Sequence, residues 1–229
     1  MVDFPGKEKY TLSDFVQLVD CLRGEGGCPW DREQTHESLR RGMLEEAYEL
    51  VGAIDEGDFL HIREELGDVL LQVVFHASLA RDEGQFDLDE VADAECRKLI
   101  YRHPHVFGDA SVADSAEVLK NWDVLKEKEK SQKTLAEVMA GVTSALPALW
   151  RAEKCLGKRA KAGKTLPDAG CALSLCRERL DALESAEESG REEALGELLY
   201  AVTDAARLMG IDPEAALHAA CERAIEREA

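Results

Sequence analysis

Proline is scarce in this sequence, with six among 229 residues, and aromatic side chains make up only 6%. A chain poor in both, with only short β-branched runs, does not read as a sandwich or barrel of strands. Basic residues are outnumbered as well: 28 Lys and Arg stand against 47 Asp and Glu, a formal net charge of −19. Such a surface repels nucleic-acid backbone and argues against a DNA or RNA partner. It repels small polyphosphates too, so phosphate chemistry here requires metal ions or a local cluster of Lys and Arg.

Paired cysteine motifs are also missing. Seven cysteines occur singly, without a CxxC pair or zinc-ligand spacing, and the odd count suggests reduced thiols. The N-terminal MVDFPGKEKY has no apolar signal-like core, and no run approaches the roughly 18 to 20 apolar residues that span a bilayer. The expectation is a soluble cytoplasmic protein with no membrane partner. What remains is 45% hydrophobic and 33% charged residues, rich in Ala, Leu, Glu and Arg. That balance describes an ordinary globular chain with a strong bias to helix. The expected fold class is all-α.

Periodicity divides the first part of the chain into helices. Phe15, Leu18, Val19 and Leu22 form one stripe, which stops at Gly24-Glu25-Gly26-Gly27 before a loop, Cys28-Pro29-Trp30-Asp31. A second helix is expected over about 38–54, broken by Asp55-Glu56-Gly57, with Asp58 placed to cap a third over about 59–81. This third helix is apolar nearly all round: Leu66, Val69, Leu70 and Val73 lie on one side, Leu71, Phe75 and Leu79 on the other. Such a helix belongs in a bundle interior or a subunit interface. Helices over about 88–101 and 115–130 follow, separated by the loop His103-Pro104-His105. The HPH segment invites a metal-ligand reading, but a structural turn is the better account. Residues 131–144 lack strong periodicity and read as a connection between halves. Beyond them, Leu195-Gly196-Glu197-Leu198-Leu199 repeats Leu66-Gly67-Asp68-Val69-Leu70 at an offset of 129. Two diverged tandem copies of one helical unit account for this. The expected division is 1–130, a linker at 131–145, and 146–229.

Carboxylates supply the chemistry. Glu46 and Glu49 are three residues apart on the second helix, and Glu65 and Asp68 are three apart on the third, so each pair occupies one helical face. In an antiparallel hairpin, positions whose numbers share a constant sum lie at the same height. Glu49 with Glu65, and Glu46 with Asp68, satisfy one sum, which places four carboxylates as two level pairs. An EExxE string alone usually marks a solvated face, and Glu49 lies away from the apolar stripe of its helix. The matched pair on the next helix turns the reading toward Mg²⁺ or Mn²⁺, since unneutralised carboxylates at such spacing repel one another.

The segments CPWDREQTHESL, EEAYEL, EELGDVLLQVVFHA, YRHPHVFGD and NWDVLKEKEK closely resemble the MazG family of nucleoside triphosphate pyrophosphohydrolases. The resemblance spans nearly the whole chain, with its specific motifs between Cys28 and Lys130. It implies an all-α helical bundle assembled as a homodimer, Mg²⁺ dependence, and attack by water that yields the monophosphate and pyrophosphate. By motif position Glu46, Glu49, Glu65 and Asp68 become the metal ligands, and Glu45 helps orient or deprotonate the water. The resemblance also places Lys98, Arg102, Trp122 and Lys126 in contact with nucleotide. Lys126 and Lys130 would otherwise pass as solvated charge. Trp30 is a candidate to stack on the base, with His36 near it, or equally a packing anchor in its loop.

The second half departs from this pattern. Arg177-Glu178-Arg179-Leu180-Asp181 stands where EExxE is expected, and Ala194-Leu195-Gly196-Glu197 where ExxD is expected. Metal binding is not expected there, which leaves one site per chain in the N-terminal copy. The competing reading is a catalytically weak helical dimer that binds nucleotides or a partner. The intact N-terminal carboxylate set argues against it.

Overall fold

The computed structural model describes residues 4–129 and 134–228, and no strand occurs among them. Twelve α-helices are found among the described residues. None is long and apolar enough to cross a membrane. By its contacts the chain divides into two compact units, Met1–Ser115 and Ala116–Ala229.

In the first unit, α1 (Leu12–Arg23) starts at Thr11, whose side chain accepts from the Asp14 backbone while Asp14 accepts from Thr11 in return. This reciprocal box satisfies two helix-end donors. After the glycine-rich break comes a single helical turn, α2 (Pro29–Arg32), where the sequence alone suggested a loop. Pro29 at its first position fits, because a helix N-terminus has no use for that N–H. Next, α3 (His36–Glu56) begins two residues before its expected start, at a second capping box between Thr35 and Ser38. Gly57 ends it with φ 72°, and its N–H donates to the carbonyls of Ala53 and Ile54. A side chain there would be strained, so glycine fits the turn. Asp58 then caps α4 (Phe59–Asp82), accepting from the backbone of Leu60 at 2.8 Å. These adjacent caps, Gly57 on α3 and Asp58 on α4, fold the two helices into an antiparallel pair.

The core of this unit is made by Val19 of α1, Leu39 of α3, and Val74, Phe75 and Leu79 of α4. Each such side chain contributes about 1.5–3 kcal/mol when removed from water. Polar contacts at the rim fix α1 against α4: Arg81 grips both carboxylate oxygens of Asp20 at 2.9 and 2.7 Å, and Arg23 lies 5.4 Å from the Phe75 ring centre. The expectation that α4 is enclosed holds for its C-terminal half. Its N-terminal half leaves Leu66 and Leu70 exposed. Beyond α4, α5 (Leu88–Arg102) is followed by a single turn, α6 (Pro104–Phe107), where a loop was expected.

The second unit takes in nearly all of α7 (Ser115–Glu129), so the division falls earlier than the expected boundary at 130/131. Lys130 and the first linker positions, 131–133, lie outside the described residues. The rest of the expected linker contains a helix, α8 (Leu135–Ala140), which the Thr134–Glu137 capping box nucleates. Then come α9 (Ala148–Lys161), α10 (Ala169–Ser185), a short 3₁₀ turn at Glu188–Gly190, α11 (Arg191–Leu208) and α12 (Pro213–Glu226). The packed pair α10 and α11 repeats α3 and α4, as the offset of 129 predicts. Small side chains replace large ones inside it: Ala172, Ala201, Thr203 and Ala205 are buried.

Candidate metal centre

Register along the α3–α4 pair follows the expected constant sum. Leu39 and Phe75 share the core at the open end. One turn nearer the Gly57 turn, Gly42 faces Gln72, and a Cβ on Gly42 would lie 3.2 Å from the carboxamide nitrogen. Glycine here lets a buried Gln side chain lie against the α3 backbone.

The next two levels hold the acids. Glu46, Glu49 and Glu65 each present a carboxylate oxygen, and these atoms all lie within 4.8 Å of one another. Among the described residues, no other group of three acids, histidines or cysteines comes this close. Glu65 is buried, and its Oε2 has no hydrogen-bond partner. Burying a carboxylate oxygen without a donor is costly, and a bound cation removes that cost. Burial raises the Glu46 pKa above its ordinary 4.5, and the charges of Asp68, Glu49 and Glu65 and a hydrogen bond with Glu49 push the same way. Asp68 stands outside this group of three, and its charge reaches Glu46. Hard divalent cations take carboxylate oxygens at about 2.0–2.6 Å, a reach that suits this spacing, so the residues present fit such an ion.

His61 touches the cluster at Glu65, and it was not anticipated from the sequence. Its Nδ1 lies 2.9 Å from Glu56 Oε2 and its Nε2 lies 3.2 Å from Glu65 Oε1. The hydrogen bond to Glu56 raises its pKa, burial opposes this, and the charges of Glu56, Glu65 and Glu64 add to the rise. The signal was available in part, since His61 stands four residues before Glu65 on one helical face.

The other predicted residues are placed as follows. Glu45 stands outside the cluster, exposed, with Oε1 2.7 Å from Arg41 Nε. Trp30 on α2 is 63% exposed, and its carbonyl accepts from the Gln34 side chain. His36 stacks on His76, with planes 2° apart and Nδ1 atoms 2.8 Å apart. Lys98 pairs with Glu95 on α5, and Arg102 on the same helix is buried. His103 bonds its own helix through the Leu99 carbonyl at 2.6 Å, which accords with a structural turn. Trp122 and Lys126 stand on α7 in the second unit, where Lys126 helps line a cavity of about 690 Å³. In the α10–α11 pair, Arg179 lies 3.9 Å from Glu197, so a cationic side chain stands beside the acid that occupies the Asp68 position.

Comparison with known proteins shows the family to which the chain is similar. The family model for the MazG nucleotide pyrophosphohydrolase domain matches residues 34–107, which contain the whole cluster. The nucleoside triphosphate pyrophosphohydrolase/pyrophosphatase MazG of Thermotoga maritima is 39% identical over 217 residues, covering 94% of this chain and 83% of that protein. The nucleoside triphosphate pyrophosphohydrolase of Escherichia coli K12 is 39% identical over 219 residues, covering 93% of this chain and 83% of that protein. The uncharacterized protein YabN of Bacillus subtilis is 41% identical over 213 residues, 91% of this chain but 43% of its own length.

Proposed function

Because the chain belongs to the MazG family of nucleotide pyrophosphohydrolases, we propose that it hydrolyses nucleoside triphosphates at the α3–α4 carboxylate centre. The products are the nucleoside monophosphate and pyrophosphate. The observation that carries this reading is the partnerless, buried Oε2 of Glu65 beside Glu46 and Glu49.

Glu46, Glu49, Glu65 and Asp68 hold Mg²⁺, with Mn²⁺ as a substitute. When bound, the metal neutralises phosphate oxygens and makes the attacking water more acidic. By family position alone, Glu45, which stays outside the cluster, helps orient or deprotonate that water. The water oxygen bonds to the α-phosphorus, the α–β bridging bond breaks, and pyrophosphate leaves with the electron pair. Lys98 and Arg102 supply cationic contacts in a strongly acidic protein, and Trp30 offers an exposed ring face to a base. Trp122 and Lys126 are assigned to nucleotide contact by family position alone. The working assembly is a homodimer in the cytoplasm. Leu44, Tyr48, Val51, Leu66 and Leu70 are exposed on α3 and α4, and a second copy covering them removes an apolar patch from water.

The reaction is tested by incubating the protein with Mg²⁺ and a panel of nucleoside triphosphates in ¹⁸O-labelled water. Pyrophosphate should appear without orthophosphate as first product, with the label in the monophosphate. Orthophosphate release, or label in pyrophosphate, contradicts cleavage at the α-phosphorus. No turnover of any substrate favours the binding dimer.

A further inference from the structure

His61 bridges two carboxylates across the turn that joins the helices of the metal centre. Gly57 and Asp58 reverse the chain within two residues, which brings Glu56, at the end of α3, alongside the first turn of α4. The His61 ring spans the gap, 2.9 Å from Glu56 and 3.2 Å from Glu65. An exposed pair of this kind is an ordinary surface contact with little effect. Here one end is different, because the Glu65 side chain is only 10% exposed while that of Glu56 is 63% exposed. The bridge occupies Glu65 Oε1 and leaves Oε2 as the oxygen without a partner.

We propose that His61 is a positioning residue for the metal ligand Glu65, and that Glu56 in turn holds the His61 ring. The proposal rests on the reading of the carboxylate cluster as a metal centre. A glutamate side chain has several rotamers, and a ligand that must be ordered on binding holds its ion less tightly than one already in place. The His61 bond selects one rotamer of Glu65 before any ion arrives. Partners of metal ligands commonly change affinity by about 10- to 100-fold when removed.

The test is Mn²⁺ binding to the whole 229-residue chain at neutral pH, read from the electron paramagnetic resonance signal of the free ion. Wild-type protein should bind, and Glu65→Gln should lose binding. His61→Ala should weaken the Mn²⁺ dissociation constant about tenfold or more, and His61→Gln, which restores an N–H donor, should recover most of it. Glu56→Ala should show a smaller loss in the same direction, with its thermal unfolding in chelator unchanged. His61→Ala binding as tightly as wild type, or more tightly, overturns the proposal. Should that variant not fold, Glu56→Ala decides, and wild-type affinity there overturns it equally. Failure of the wild-type protein to take up Mn²⁺ removes the metal-centre reading and the role of His61 together.

Discussion

At Glu46, burial and three neighbouring acids act in one direction, favouring the protonated form and raising the pKa from its ordinary 4.5. The ionised cluster therefore strains the metal-free protein, a frequent property of active sites. Replacing Glu46 by Gln removes one of the repelling charges and keeps the side-chain shape. In chelator at neutral pH, Glu46→Gln should melt above wild type while losing Mg²⁺-dependent hydrolysis. A lower melting temperature in chelator would mean that Glu46 is a stabilising surface acid. His76 shows the opposite linkage. Burial first, and then the nearby His36, lower its pKa from the ordinary 6.5, so the folded state favours neutral imidazole. Its stabilising effect is complete above about 6.5 and declines as pH falls below that value.

Helix ends and pair geometry define the next scale. The α1 capping box has a titratable member: the hydrogen bond from Lys7, then those from the Thr11 backbone and side chain, hold the Asp14 pKa down at about 2 against an ordinary 3.8. A depressed carboxylate contributes stability above its unfolded value, and that contribution declines below about 3.8 and is lost as pH falls through about 2. Urea unfolding at pH 5 should show Asp14→Asn less stable than wild type, with the difference shrinking as pH falls from about 3.8 through 2; a constant difference would exclude the ionised cap. The long helices and the height of their carboxylates were legible in the sequence, since apolar periodicity, Gly57 and Asp58 together determine an antiparallel pair. The single turns α2 and α6 and the helix α8 were not. They are short, and a proline or a capping box decides them rather than a repeating apolar face. His61–Glu56 spans a chain reversal, and His36–His76 joins residues 40 apart, so neither follows from spacing along one helix.

For the molecule as a whole, the exposed apolar face on α3 and α4 has a direct consequence. Leu66→Glu, which places a charge on the face assigned to the second copy, should shift the protein from dimer to monomer in sedimentation equilibrium. A wild-type protein that sediments as a monomer would remove the assembly proposed. The two units differ where their chemistry would differ: the first gathers Glu46, Glu49 and Glu65, while the second sets Arg179 near Glu197. Pyrophosphate release from nucleoside triphosphates with Mg²⁺, measured side by side for Glu49→Ala and Glu178→Ala, decides which unit carries the reaction. Glu49→Ala should lose nearly all activity and Glu178→Ala should change little; loss in Glu178→Ala with activity kept in Glu49→Ala would put the working centre in the second unit instead.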